Sequence, residues 1–203
     1  MQKVKEDAKG KKLHQALLSI ILESKADQAH ADHTTELALR LFDLLAVLHK
    51  LGARERLLLH VSSQLHDIGW SRTEQKGHHK HSRDMIREAV LPDVSEKEKN
   101  ICALIARYHN KAEPDASRHR AFAALNKSDR LTVSWCAAIL RVSDGLDCNH
   151  NSSVHIAGCN IEDTKLTILL NAQYECDREI RGAQRKGALL ASMAKRELGF
   201  LRC

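Results

Sequence analysis

Only two prolines, Pro92 and Pro114, interrupt the 203 residues, and that scarcity most constrains the fold. Proline removes a backbone donor and clashes with the preceding turn, so a chain nearly free of it can run in long helices. Apolar residues make up 43% of the chain, yet aromatics only 3%. The core must then be built from Leu, Ile, Val and Ala, which favours helices packed on helices. Leu13, Ala16, Leu17, Ile20 and Ile21 recur at helical spacing and predict a first amphipathic helix ending near Ser24. Asp32, with Thr35 and Glu36 behind it, reads as the N-cap of a second helix through Leu37, Leu41, Leu44, Leu45 and Leu48, stopped by Gly52. A third runs from about Arg54 to Ile68 with Leu57, Leu58, Val61 and Leu65 on one side.

Residues 70–78 read as a loop, and His79 to Ala89 as a helix closed by Leu91-Pro92-Asp93. Ser95-Glu96-Lys97-Glu98 has the form of a capping box and opens a helix through Ile101, Leu104 and Ile105 to Tyr108-His109. A polar loop with Pro114 follows, then a short helix over 120–126. A further helix spans Asp129 to about Leu146, with Leu131, Trp135, Ala138, Ile139 and Val142 inward and Asp144 at its end. After Asn149 the texture changes. Val154-His155-Ile156 and Leu166-Thr167-Ile168-Leu169-Leu170 have strand character, with a turn at Glu162-Asp163 between them. A last helix is expected from about Arg178 to Leu198, stopped by Gly199, and Phe200-Leu201 is a candidate short strand. The expected fold class is mainly α: a helical bundle over 1–150, with a small β-β-α appendage over 151–203 packed on it.

Lys and Arg number 32 against 26 Asp and Glu, a formal charge of +6 that suits a polyanionic partner. The charges are interspersed and no aromatic stacking platform accompanies them, which argues against nucleic acid. The six cysteines form no CxxC pair and read as reduced thiols of an intracellular protein. The start, Met1-Gln2-Lys3-Val4-Lys5, leads into charged sequence rather than an apolar signal, and no apolar run approaches membrane-spanning length. A cytoplasmic location is expected.

The chemistry gathers around Leu65-His66-Asp67-Ile68-Gly69. An apolar helix face does not ordinarily end in two adjacent groups that both bind divalent metals. Neighbouring helical residues point about 100° apart, so both reach one ion only if it sits beside the helix end. Gly69 would let the backbone turn away there. Thirteen histidines are present, and their placement matters more than their number. His33, His66, Asp67 and Asp144 each fall near the beginning or end of an expected helix. His78-His79-Lys80-His81 and Arg107-Tyr108-His109-Asn110-Lys111 form two further groups, and one end of a bundle can bring all three together.

The order His33, His66-Asp67, Asp144 resembles the H…HD…D pattern of the HD superfamily of metal-dependent phosphohydrolases. A closer resemblance is to the HD-like C-terminal region of the exopolyphosphatase and guanosine-pentaphosphate phosphatase family. It is carried by Leu41-Phe42-Asp43, Leu48-His49-Lys50-Leu51-Gly52, Gln64-Leu65-His66-Asp67-Ile68-Gly69, His78-His79-Lys80-His81-Ser82, Arg107-Tyr108-His109-Asn110-Lys111 and Leu140-Arg141-Val142-Ser143-Asp144-Gly145-Leu146-Asp147. In that family, ATPase-like domains carrying the phosphatase site precede this region. They are not among these residues, so only the HD pattern is carried over.

The resemblance implies His33, His66, Asp67 and Asp144 as ligands of a divalent metal, with Asp67 and His66 central to catalysis. It adds His78, His81 and His109 as candidates for a second ion. The donor set admits Mn, Fe, Zn, Co, Ni or Mg, one or two ions per chain. Lys80, Arg107 and Lys111 are candidates for contacts to substrate phosphate. The implied activity is hydrolysis of a phosphate ester or anhydride, nucleotide or polyphosphate-like, by a metal-activated water. The alternative is a non-catalytic regulatory module that binds polyphosphate or a guanosine alarmone. The expected partner is a phosphorylated small molecule or polyphosphate, with a homodimer left open.

Overall fold

The computed structural model describes residues 2–172 and 175–203, with side chains from residue 10 onward. It is mainly α, with ten helices and one three-stranded sheet among the described residues. The helices that build the bundle are α1 (Gln2–Ser24), α2 (Gln28–Leu44), α3 (Ala46–His49), α4 (Ala53–Gln64), α5 (His78–Glu88), α6 (Glu96–Tyr108), α7 (Arg120–Ala123) and α8 (Lys127–Leu146). Strands β1 (Val154–Ile161) and β2 (Lys165–Ala172) follow, then α9 (Asp177–Lys186), α10 (Ala188–Ala194) and β3 (Glu197–Arg202). Among the described residues no helix is long and apolar enough to cross a membrane.

Local chemistry sets several helix starts. Ser95 and Glu98 form the expected capping box on α6, with Glu98 accepting the Ser95 N–H at 2.9 Å. Arg54 then forks onto the same carboxylate with two 2.6 Å bonds, tying α4 to α6. Asn126 caps α8 by accepting the Asp129 N–H at 2.9 Å, so that helix starts slightly before the expected Asp129. The start of α2 differs more. Its cap is Asp27, which accepts the His30 N–H at 3.1 Å, and Asp32 lies inside the helix, where it takes the Gln64 amide at 2.9 Å. Both prolines fall between helices.

Helix α8 runs through the centre, packed by α2, α4, α6, α9 and α10. Val133, Cys136, Ala137, Ala138, Ile139, Leu140 and Val142 along it are fully buried. Leu131, expected inward, is 45% exposed, and Val133 takes the inward position. Each such side chain, once buried, contributes roughly 1.5–3 kcal/mol for Val, Leu or Ile. Val154, Ile156, Leu166, Ile168 and Leu170 line the inner face of the sheet and continue the same core. Alternation along β2 is what aims Leu166, Ile168 and Leu170 to one side.

Strand β1 pairs antiparallel with β2 through a bulge at Ala157, and β3 joins β2 in parallel. A parallel neighbour needs a crossover, which α9 and α10 provide. The candidate strand at Phe200-Leu201 is thus part of β3, which is longer than expected and starts before Gly199. The last helix is not continuous to Leu198: it breaks at Gly187 and ends at Ala194, and Gly199 lies within β3. At Gly187 a side chain would place Cβ 2.6 Å from Leu198, so the break is where β3 crosses back over the helix pair.

Candidate metal centre

Helix α4 stops at Gln64, one turn short of the expected end, and His66-Asp67 lie in the turn that leads into a 3₁₀ segment, Ile68–Arg72. Gly69 is essential there for closeness rather than for a change of direction. A Cβ on it would stand 2.1 Å from the His78 carbonyl and 2.4 Å from the Ser82 nitrogen. With none present, the Gly69 N–H donates to Ser82 Oγ at 2.9 Å, and α5 seats its first turn against the His-Asp pair.

That seating brings His78 to Asp67. Asp67 Oδ1 lies 3.2 Å from His78 Nε2 and 3.3 Å from His109 Nε2, without the alignment of a hydrogen bond. His66 Nε2 is 3.7 Å from the other carboxylate oxygen, and His78 and His109 face each other at 3.1 Å. Trp70 stacks on the His78 ring with centroids 4.0 Å apart.

The outer nitrogens fix which ring atoms face inward. His66 Nδ1 donates to the Ser63 carbonyl at 2.7 Å, and His109 Nδ1 donates to the Ala106 carbonyl at 2.6 Å. Such backbone anchors hold the ring and present Nε2 as the ligand atom. Burial pushes His66 down to about 4, so its imidazole is neutral with a lone pair on Nε2. Burial would push the Asp67 carboxyl up, yet the imidazoles around it, His66 first, hold it well below the usual carboxylate range.

The histidine that α2 contributes is His30, which sequence reading left without a role. His30 Nδ1 meets Asp147 Oδ2 at 2.7 Å, and its Nε2 lies 3.6 Å from Asp144 Oδ1. Burial opposes charge on this ring, but Asp144 and Asp147 outweigh it and raise its pKa to about 10. His33, one turn on, instead bonds the Val154 carbonyl through Nε2 at 2.9 Å. It belongs to a separate grouping with Glu36 and His155, the latter two exposed, whose ligand atoms lie within 4.8 Å of one another.

Two groupings of ligand atoms within 4.8 Å therefore share His66: one with His30 and Asp144, the other with Asp67 and His109. The Nε2 atoms of His30 and His66 and Asp67 Oδ1 are buried without hydrogen-bond partners among the described residues. Two sheltered imidazole nitrogens beside two ionised carboxylates are the donor set a first-row divalent cation takes, with His30, protonated while Asp144 and Asp147 alone face it, releasing its proton as the ion binds, so the residues fit such an ion.

Two basic residues frame the centre. Lys186 on α9 reaches Asp144 Oδ2, and with His30 it keeps that carboxyl far below its ordinary value against the effect of burial. Lys186 is one of several basic residues on α9, with Arg178, Arg181 and Arg185. It arrives because α8 and α9 touch backbone to backbone at Gly145 and Gly182. Arg141, buried at 6% exposure, donates to the carbonyls of Tyr108 (3.0 Å), Lys111 (3.4 Å) and Lys186 (3.1 Å). One guanidinium thus ties the ends of α6 and α9 to α8. Arg141→Met should cost about 3 kcal/mol in denaturant unfolding, because it orphans buried carbonyls, and Arg141→Lys should recover only part, since an ammonium lacks the planar fork.

Of the remaining candidates, Lys80 and Lys111 are exposed and Arg107 is half-buried. His81 is half-buried on α5, with no hydrogen bond or ion pair to the cluster among the described residues. A family model described as Ppx/GppA phosphatase, domain III, matches residues 15–182. No curated protein matches the chain.

Proposed function

Because the chain belongs to the Ppx/GppA phosphatase domain III family, we propose that it is an HD-type metal-dependent phosphohydrolase acting on a phosphate ester or anhydride, of nucleotide or polyphosphate kind. The observation that carries this reading is the set of sheltered, partnerless donor atoms on His30, His66 and Asp67 beside Asp144. His30, His66, Asp67 and Asp144 would hold the ion, with His109 and His78 completing the Asp67 side. A divalent metal would supply Lewis-acid activation of phosphoryl oxygen and of water. Asp147 orients His30, and the Ser63 and Ala106 carbonyls orient His66 and His109. In this assignment residues 1–150 form the catalytic helical domain, and the 151–203 appendage contributes Lys186, which holds Asp144.

The assignment of His30 rather than His33 is tested by substituting each. His30→Ala should lower bound metal and hydrolysis of phosphoesters, nucleotides or polyphosphate by about tenfold or more, the scale seen when metal shells are disturbed. His33→Ala should keep both near wild type. The reverse pattern would sink the assignment. Lys186 is the one observation favouring the non-catalytic alternative, a polyphosphate- or alarmone-binding module, because an ammonium already neutralises Asp144. The two readings separate on metal content and turnover: a catalyst holds stoichiometric metal and loses turnover on chelation, whereas a binding module holds no metal and turns over none of these substrates.

A further inference from the structure

A second cluster of charge lies beside the centre, between α5 and α6. Arg83 and Arg87 sit one turn apart on α5, and Arg107 comes from the last turn of α6. Arg83 lies within electrostatic reach of both Arg87 and Arg107, and the charges of all three act on the hydroxyl of Tyr108. The Arg107 guanidinium stands 5.8 Å above the Tyr108 ring. The carboxylate paired within the cluster is Asp84, which takes both bonds of Arg83 at 2.7 and 2.8 Å. Asp115 acts on Tyr108 from the following loop but is engaged by Ser117.

Two donors in this cluster have nothing to donate to. Arg87 Nε and Arg107 Nη1 are sheltered from solvent and have no acceptor among the described residues. A sheltered N–H on a charged group is costly to leave unpaired. Like charges are also costly to crowd, and the guanidinium fork matches phosphate oxygens more closely than an ammonium does. Burial together with Arg83 pushes Arg87 below its ordinary value, the direction expected of a cation lacking its counter-ion.

We propose that Arg83, Arg87 and Arg107 form a phosphate-binding subsite, filled by a phosphate dianion or by the end of a longer phosphate chain. It stands on donors that no metal ligand uses, and so is independent of the metal reading.

The test is isothermal titration of the full chain in excess chelator, at matched chloride ionic strength, with inorganic phosphate and with tripolyphosphate. Metal-free wild type should bind phosphate saturably, and Arg87→Gln and Arg107→Gln should each weaken binding at least tenfold. Arg107→Lys keeps the charge and should still bind several-fold more weakly, which guards against loss of fold in the neutral variants. Tripolyphosphate binding much more tightly than phosphate, and competing with it, would assign the site to a chain end; equal affinities would assign it to a free dianion. Absence of saturable phosphate binding in chelator, or variants that bind like wild type, would overturn the subsite. Failure of the metal reading would appear separately, as absent metal in the protein before chelation.

Discussion

Asp67→Asn is expected to abolish turnover while leaving the fold intact. Its carboxylate lies among three imidazoles, with one oxygen sheltered and unpaired, so it is the anion on which the cluster depends. The amide keeps shape and volume and removes only the charge. Hydrolysis should fall on the order of 10³-fold or more, which is about 4 kcal/mol of transition-state stabilisation. A second readout does not depend on finding the substrate. An ion at a hundred times its dissociation constant stabilises the native state by about 2.7 kcal/mol. For a chain of this length that is roughly 5–11 °C of melting midpoint. Chelator should remove that increment from wild type and leave Asp67→Asn unmoved. Equal responses of the two proteins to chelator would place the ion elsewhere.

The His-Asp pair, Asp144, His78 and His109 could be named as candidates from sequence because each falls close to the boundary of an expected helix. Local chemistry placed the start of α6 through its capping box and the end of α8 through its apolar stripe, whereas the end of α4 lies a turn before the expected one. The choice between His30 and His33 was not legible. The two are one turn apart on α2, and what divides them is remote: Asp147 takes the Nδ1 of one, and the Val154 carbonyl takes the Nε2 of the other. Lys186 was hidden for the same reason. On a basic amphipathic helix it resembles Arg178, Arg181 and Arg185, and only the approach of α9 to α8 singles it out. The break at Gly187 and the parallel strand β3 also rest on contacts between distant segments. The 3₁₀ turn after Asp67 was missed because Gly69 signals a turn whether it bends the chain or admits a neighbour, and here it admits α5.

The same reasoning makes Gly145 the residue outside the ligand set whose substitution should do most damage. A Cβ built on Gly145 would stand 2.6 Å from Ala183 Cα and 2.7 Å from Ala183 N, and one on Gly182 would meet the Gly145 carbonyl at 2.4 Å. Those neighbours are backbone and cannot swing aside as a side-chain tip does. Gly145→Ala must therefore push α9 off α8, and overpacking of this kind costs about 1–3 kcal/mol, with the upper end expected here. At 3 kcal/mol the melting midpoint drops by roughly 6–12 °C. The displacement also draws Lys186 away from Asp144 and from the Arg141 clamp on its carbonyl, so the His-Asp cluster loosens along with the fold. Gly10→Ala is the matching control, since nothing among the described residues lies within 4 Å of its Cβ and a helical Ala is favoured over Gly by about 0.5–1 kcal/mol. Melting curves of the two variants should move in opposite directions. A Gly145→Ala protein as stable as wild type would mean that α9 can ride farther out, and that the contact holding Lys186 on Asp144 is not the backbone approach at Gly145.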